Sequence, residues 1–167
     1  MIGSTELLDL FERWGLTYTC ERHEAIFNMA DSAGLALSLE GARCKNLLLQ
    51  NKQGQFYLVV TSAEKSLDLV AVAATLGSTR LSFASAEQLK ERLGVRPGSL
   101  SPLALINDTE KVVRLILDED LSEEACFLFH PLDSAVTMAL SMESFMTLLR
   151  IMERETTWTR LAMRLSP

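Results

Sequence analysis

The residues best suited to chemistry in this 167-residue chain stand where a hydrophobic core would not require polar groups. Lys45 and Asn46 come directly before the apolar run at residues 47–49. A lysine beside a buried strand loses hydration unless its ammonium reaches water or an anion, so this pair is expected at the lip of a pocket. The alternative is a strand-end lysine whose alkyl stem covers apolar surface while its ammonium stays in water. Spacing alone favours that second interpretation.

A second candidate is the segment at residues 98–102, which reads Gly-Ser-Leu-Ser-Pro. Glycine lets the backbone approach a ligand closely, and successive N–H groups can bind an anion or a developing oxyanion. Proline would hold such a loop rigid. An ordinary structural turn explains the same pattern and is the commoner case.

A third candidate is His130, which Phe129 and Pro131 place at the end of a predicted strand. Its imidazole titrates near neutral pH, although a lone histidine is more often structural. The same structural interpretation applies more strongly to His23. Cys44, next to Lys45, is a possible nucleophile if that lysine lowers its pKa, but no partner for a triad is evident.

Standard catalytic signatures are absent from the sequence: there is no G-x-S-x-G, P-loop, H-E-x-x-H or dinucleotide fingerprint. Only two histidines and three scattered cysteines are present, which argues against a zinc site and against a disulfide framework. We therefore expect neither a metal nor a cofactor.

The formal net charge of −6 argues against a protein that binds polyanions with its whole surface. Residues 43–114, however, carry ten basic and six acidic side chains, a local excess of +4. This stretch contains Lys45 and Gly98, so the sequence predicts a basic patch around the candidate site on an otherwise acidic protein.

Composition indicates one globular domain, because 48% of the residues are hydrophobic and 23% are charged. A chain of this length buries enough surface to fold without a disulfide or a metal. No apolar stretch is long enough to span a bilayer, and the first residues do not resemble a secretory signal. We expect a cytoplasmic protein without a membrane partner.

The chain divides into strands and helices in mixed order, which predicts a mixed α/β or α+β domain. Residues 44–49 and 56–61 form a predicted hairpin, and further strands are expected at residues 16–21, 80–83, 112–117, 125–129 and 135–140. Helices are expected after Ser4 or Thr5 up to Gly15, at residues 29–39, from Asp68 to Gly77, at residues 86–93 behind the cap Ser85, and from Ser141 onward. The last fifteen residues either extend that final helix or dock as an amphipathic tail.

Taken together, several short motifs resemble the YbaK-type aminoacyl-tRNA editing domains, and most closely the free-standing prolyl-tRNA editing proteins. The resemblance extends over roughly residues 4–150, in order and without large gaps. The motifs that carry it are Lys45-Asn46-Leu47, the hairpin to Phe56-Tyr57-Leu58-Val59-Val60, Leu81-Ser82-Phe83-Ala84-Ser85, Gly98-Ser99-Leu100-Ser101-Pro102, Ile106-Asn107-Asp108 and Phe129-His130-Pro131-Leu132.

The resemblance implies an editing-domain fold, a mixed sheet with surrounding helices. We expect this domain to span residues 1–152, and a helical C-terminal extension at residues 153–167 that lies outside the resemblance. It implies metal-free hydrolysis of mischarged alanyl-tRNA(Pro) to alanine and free tRNA, which maintains translation fidelity. By the same resemblance Lys45 and Gly98 are the catalytic residues. The residues that it assigns to the substrate pocket are Asn46, Ser99, Leu100, Ser101, Pro102, Asn107 and His130.

The expected partner is the acceptor end of a mischarged tRNA, with prolyl-tRNA synthetase as a second candidate. Two other functions remain open from the sequence. One is a deacylase of the same type that acts on cysteinyl-tRNA(Pro) or another small aminoacyl-tRNA. The other is a non-catalytic module that binds a tRNA or a synthetase.

Overall fold

The computed structural model describes residues 1–25 and 36–165, and these form a mixed α/β domain, as predicted. The helices are α1 (Ser4–Trp14), α2 (Leu69–Thr75), α3 (Ala86–Leu93) and α4 (Met142–Ile151), with a 3-10 turn at Pro102–Asn107. The strands are β1 (Thr19–Arg22), β2 (Ala42–Gln50), β3 (Phe56–Ser62), β4 (Ser82–Phe83), β5 (Val113–Asp118), β6 (Cys126–Phe129), β7 (Val136–Ser141) and β8 (Trp158–Thr159).

The strands make one mixed sheet in the order β1-β7-β6-β2-β3-β5-β8, with β4 paired to β2 outside this path. The predicted hairpin is the antiparallel pair β2–β3, in which Leu47 lies opposite Val59. Strands β2 and β6, β3 and β5, and β5 and β8 are parallel pairs. The parallel and antiparallel pairs together confirm the mixed sheet expected from the sequence.

Strand β2 is paired unevenly on its two edges. It is hydrogen-bonded to β3 along residues 44–50, but on its other edge it meets β6 only at Ala42 and Arg43. The next hydrogen bond on that edge is at Leu48, whose carbonyl accepts from the Ala84 amide. The pairing with β4 follows at Leu49. Residues 44–47 therefore lie on an open stretch of strand between two neighbours.

Side chains alternate along β2 between two hydrophobic clusters on opposite faces of the sheet. Leu48 belongs to the larger cluster, which α1, α3 and α4 complete with buried leucine and phenylalanine side chains. Leu47 and Leu49 belong to the smaller cluster, together with Val72 of α2 and the buried Leu161. By the same alternation, Lys45 lies on the face of Leu47 and Asn46 on the face of Leu48.

The helix caps follow the sequence closely, with one exception. Ser85 and Gln88 form the predicted capping box of α3, and Ser141 caps α4. Helix α1 begins one residue before the predicted caps, with Gly3 as its N-cap and the Glu6 carboxylate accepting from the Gly3 amide. The sequence did not reveal that the side chain of Asn107 holds Ile2 by its amide and its carbonyl, which fixes where the helix starts.

The helix expected at residues 29–39 lies largely outside the described residues, and the described part, residues 36–39, contains no helix. No helix in the described ranges has the length and apolar character needed to cross a bilayer.

The expectation of a helical C-terminal extension is wrong. Helix α4 ends at Ile151, and the chain continues as the short strand β8, parallel to β5, and an isolated bridge between Met163 and Leu67. Arg154 does not lie on the polar face of a helix, because it turns inward and bonds backbone groups. The buried Leu161 fixes the later part of the segment to the sheet.

Arg154 forms the most buried ion pair in the described part of the chain. Its guanidinium lies 3.1 Å from Asp108 Oδ2 and also donates to the carbonyls of Leu105, Asp108 and Val113. The Asp108 carboxylate accepts the amides of Val112 and Val113 as well. These bonds join the end of α4, the 3-10 turn and the start of β5.

Replacing Arg154 by methionine should therefore lower the free energy of unfolding by about 3 kcal/mol, because it leaves a buried carboxylate without its cation. Urea denaturation measures the loss. The matched control is Arg150→Met, at an exposed position one turn earlier, which should stay within about 0.5 kcal/mol of the wild type. A loss below about 1 kcal/mol for Arg154→Met would show that the ion pair does not hold these elements together.

Candidate active site

A cavity of about 230 Å³ lies at the open stretch of β2, and we call it the inner cavity. Most of its walls come from β2, the end of β6, the turn that contains Gly98, and the region around β4. The lining residues are Leu37, Arg43, Cys44, Lys45, Asn46, Leu47, Leu48, Ala63, Phe83, Ala84, Leu89, Pro97, Gly98, Leu100, Leu128, Phe129, His130 and Thr137. The parting of β2 from β6 thus leaves a space that polar groups from both strands border.

Lys45 is half-buried at this cavity, and its Nζ donates to the carbonyl of Lys65 at 2.6 Å. Burial lowers the pKa of Lys45. No carboxylate of the described residues forms an ion pair with it. The ammonium is held in place by a neutral backbone group, so its charge is available to an anionic ligand.

Lys65, whose carbonyl accepts the hydrogen bond from Lys45, is itself held by a buried acid. Lys65 Nζ lies 2.9 Å from Asp118 Oδ2 and 2.8 Å from Asp120 Oδ2. Asp118 is fully buried and also accepts from Thr61 Oγ1 at 2.6 Å, and Thr61 lies opposite Lys45 in the β2–β3 register. Burial lowers the pKa of Lys65, but the hydrogen bonds that it donates to Asp120 and Asp118 outweigh burial and raise the pKa overall. These two acids are therefore engaged by Lys65, and Lys45 has no carboxylate partner among the described residues.

Asn46 carries an unsatisfied acceptor at the inner cavity. Its Oδ1 is buried and accepts no hydrogen bond from the described residues. A buried carbonyl without a donor costs stability, typically about 1–3 kcal/mol. Such an atom is typical of a group that receives its partner from a ligand.

Gly98 lies in a tight turn, in which the Ser99 amide donates to the Arg96 carbonyl at 3.0 Å. Pro97 precedes it, and Gly98 has a φ of +94°, which side chains other than glycine rarely adopt. This is the residue pattern of a type II turn. The Gly98 amide donates no hydrogen bond within the described part of the chain, so it can serve a ligand in the cavity it lines.

Ser101 connects this turn to the end of β6. Its hydroxyl donates to the His130 carbonyl at 2.7 Å and accepts from the Leu103 amide at 3.2 Å. Ser101 is fully buried and does not line the cavity. It therefore positions the turn against β6 instead of meeting a ligand.

His130 lines the inner cavity as a buried, neutral imidazole. Its Nδ1 lies 2.8 Å from the Val136 carbonyl, so Nδ1 carries the proton and Nε2 is the acceptor. Burial lowers the pKa of His130, the bond to Val136 opposes this, and the nearby His23 lowers it further. His23 packs edge-on against His130, and its Nε2 lies 2.8 Å from Thr137 Oγ1.

Cys44 does not fit the nucleophile considered from the sequence. Burial, and after it the Glu124 carboxylate, raise the pKa of Cys44 to about 12. The neighbouring Lys45 does not lower it, because its ammonium is directed to the Lys65 carbonyl. The thiol stays protonated at neutral pH and is unreactive there.

Five of the nine predicted site residues border the inner cavity: Lys45, Asn46, Gly98, Leu100 and His130. Ser99, Ser101 and Pro102 are buried behind the turn, where Pro102 begins the 3-10 turn. Asn107 lies elsewhere: its amide donates to the carbonyls of Leu93 and Ile2, so it joins α3 to the N-terminus. Its polar groups are used in that connection.

Among the lining residues that were not predicted as site residues are Arg43, Phe83 and Thr137. Phe83 offered a signal, because an aromatic residue follows Ser82 in a very short strand. Thr137 is a polar residue inside the apolar run of β7 and offered a weaker one. Arg43 could be placed only once the pairing of β2 with β6 was known. Within the described ranges no three histidine, cysteine or carboxylate side chains converge on one point as metal ligands do.

Comparison with known proteins gives a consistent result. The sequence model of the aminoacyl-tRNA editing domain family matches residues 23–148. The prolyl-tRNA editing protein ProX of Acetoanaerobium sticklandii is 32% identical over 129 residues, 77% of this chain and 79% of the relative. The prolyl-tRNA synthetase associated domain-containing protein 1 of Danio rerio is 31% identical over 138 residues, 81% of this chain and 75% of the relative.

A solved structure of a candidate trans-editing enzyme for prolyl-tRNA synthetase has the same fold. It superposes with a TM-score of 0.64 at 20% identity, and the match covers 96% of this chain and 98% of the other.

The lowered pKa of His130 predicts how stability depends on pH. Below about pH 6.5 the unfolded histidine binds a proton that the buried ring resists, so stability is full above that pH and falls as the pH decreases. We expect the melting temperature of the wild type to fall more steeply between about pH 7.5 and about pH 5.5 than that of His130→Gln. His23→Gln, which keeps His130, should retain most of the fall. Equal pH dependence in wild type and His130→Gln would contradict the assignment of a buried neutral ring.

Proposed function

Because the chain belongs to the aminoacyl-tRNA editing domain family, we propose that it hydrolyses the ester bond of alanyl-tRNA(Pro) and releases alanine and free tRNA. This proposal rests on the inner cavity, which is lined by an ammonium without a carboxylate partner, an unsatisfied carbonyl and an amide that donates no hydrogen bond in the described residues. An aminoacyl ester offers one complementary group to each of them.

The α-ammonium of the aminoacyl group is the natural donor for Asn46 Oδ1. It carries three N–H donors, and the acceptor on Asn46 is buried and unsatisfied in the described protein. A hydrogen bond from a charged donor is roughly twice as strong as a neutral one. This bond would place the amino acid in the cavity with its ester towards the Gly98 turn.

The Gly98 amide is suited to the ester carbonyl. As water attacks, the carbonyl oxygen gains negative charge, and a fixed N–H dipole in a partly buried site stabilises that charge without reorganisation. The turn is held by the Ser99–Arg96 bond and by the Ser101–His130 bond. The turn is therefore held in place before the substrate arrives.

Lys45 supplies the positive charge of the site. Its ammonium can attract the phosphate next to the terminal ribose or the developing oxyanion, since no carboxylate competes for it. An aminoacyl ester is already activated, so the protein mainly has to orient the ester and the attacking oxygen. Water and the neighbouring ribose hydroxyl both remain as the source of that oxygen, whereas Cys44 stays a protonated thiol.

We expect a preference for alanine because a prolyl-tRNA synthetase cannot fully exclude this smaller amino acid from its own site. A missing methylene changes binding by only about 1–3 kcal/mol, so a site built for proline admits the smaller alanine. A second site must then remove the error. The apolar side chains of Leu89, Leu100 and Phe129 in the inner cavity favour a small apolar amino acid over a polar one.

Deacylation assays test this proposal with purified protein and four substrates: alanyl-, prolyl-, cysteinyl- and seryl-tRNA. We expect faster loss of alanine from alanyl-tRNA(Pro) than of proline from prolyl-tRNA(Pro). Lys45→Met, which keeps the alkyl stem, should reduce the single-turnover rate by about 100-fold, since it removes a charged group from the developing oxyanion. Lys52→Met, at an exposed lysine of the β2–β3 loop, is the matched control and should leave the rate unchanged.

Loss of the alanyl ester no faster than without protein would refute the proposal. Preferential hydrolysis of cysteinyl- or seryl-tRNA would assign the same site to another amino acid. Saturable tRNA binding without hydrolysis of any of the four esters would indicate a binding module.

Asn46→Leu separates a ligand-binding role from a structural one. The variant removes an unsatisfied buried acceptor, so the free energy of unfolding should stay equal or rise by about 1 kcal/mol. Its deacylation rate at low substrate concentration should fall at least about tenfold, because the α-ammonium loses its acceptor. Lactoyl-tRNA(Pro), which has a hydroxyl in place of the amino group, should show a smaller difference between wild type and variant. A destabilised variant with normal activity would show that Asn46 is structural.

A further inference from the structure

A second concave region adjoins the inner cavity on the outside of the sheet, and we call it the outer groove. It has a volume of about 410 Å³, within the usual range of small-molecule sites, about 300–1,000 Å³. Lys45, Leu47 and Phe83 line both spaces. The two are therefore neighbouring compartments of one site, with Lys45 between them.

The C-terminal segment contributes Arg164 to the lining of this groove. The Arg164 amide donates to the Ser66 carbonyl at 2.7 Å, and the Asp68 amide donates to the Ala162 carbonyl at 2.9 Å. The buried Leu161 holds the segment against the sheet. These bonds hold Arg164 in the lining of the groove, which Lys45 also borders.

The groove combines cations with an exposed aromatic ring. Phe83 is 62% exposed, although it lies on a strand of the central sheet. The Arg164 side chain is exposed and forms no ion pair within the described ranges. The acidic residue of the lining, Asp68, accepts the Ala71 amide at the start of α2. Aromatic rings for base stacking next to unpaired cations for phosphates are typical of single-stranded nucleic-acid sites.

We propose that the outer groove binds the single-stranded 3′ end of the tRNA, with the terminal base on Phe83 and the backbone phosphates between Lys45 and Arg164. This inference rests on the proposed function, because the ester in the inner cavity joins the amino acid to the ribose of that terminal nucleotide. The nucleotide must then leave the cavity past Lys45, and the outer groove lies directly there. The C-terminal segment thus supplies a binding residue from outside the range that matches the family, residues 23–148.

Binding of uncharged RNA tests the groove independently of catalysis. The probe is a fluorescent hairpin with the acceptor stem of tRNA(Pro), with or without its single-stranded 3′ end, and anisotropy gives the Kd. Wild type should bind the complete hairpin at least about tenfold more tightly than the truncated one. Arg164→Gln should weaken binding of the complete hairpin about tenfold and reduce the salt dependence by about one phosphate contact.

Two matched pairs of variants separate the groove from general effects. Arg160→Gln removes an exposed arginine of the same segment, which lies outside the groove near Glu119, and should change the Kd less than about twofold. Phe83→Leu should weaken binding about fivefold or more, whereas Phe83→Trp should preserve it, because stacking needs a ring. Melting temperatures confirm that each variant is folded.

Equal effects of Arg160→Gln and Arg164→Gln, or equal binding of the two hairpins by the wild type, would overturn the inference. Deacylation measured in parallel distinguishes the two proposals. If the protein hydrolyses alanyl-tRNA(Pro) but Arg164→Gln and Phe83→Leu bind the hairpin normally, the proposed function stands and the role of the groove is rejected. If the variants lose binding as expected but the protein hydrolyses no aminoacyl-tRNA, the groove binds RNA as inferred and the proposed function is rejected.

Discussion

The candidate site depends on the parting of two parallel strands. Strand β2 pairs with β6 only at Ala42 and Arg43, and its free edge meets another chain segment again only at Leu48. In a fully paired sheet the residues between would contact a neighbouring strand. Here they border a cavity instead, and the carboxyl end of β6 brings His130 to the other side of it. This is the general place for ligands in open sheets, where neighbouring strands diverge at their carboxyl ends.

The same parting determines the electrostatics of the site. A half-buried ammonium is stable only if something replaces part of its hydration, and for Lys45 this is the Lys65 carbonyl. A carboxylate in that place would neutralise the charge that a phosphate or an oxyanion needs. The acids near the site, Asp118 and Asp120, are engaged by Lys65 instead. Lys65 therefore has two functions: its side chain occupies the acids and its backbone orients Lys45.

Local sequence signals predicted the structural features that depend only on residues close together in the sequence. The β2–β3 hairpin and the capping box at Ser85 are fixed by turn residues and short-range patterns, and both were located correctly. The helical assignment of the C-terminal segment was wrong because the partners that fix Arg154 and Leu161 lie far away in the sequence. Asn107 was placed in the pocket from its motif, yet its amide connects Leu93 and Ile2. Which polar residue faces a cavity and which one bridges distant segments depends on tertiary contacts that spacing does not encode.

In the proposed complex the amino acid binds at the open edge of β2, and the Lys45 ammonium interacts with the negative charge beside it. A crystal structure with a stable analogue, adenosine 5′-phosphate carrying alanine through a 3′-amide, tests this most directly. We predict the alanyl ammonium on Asn46 Oδ1, the amide carbonyl at the Gly98 N–H, and the phosphate within about 4 Å of Lys45 Nζ. An alanyl group bound outside the inner cavity, or Lys45 without a contact to the ligand, would contradict the account.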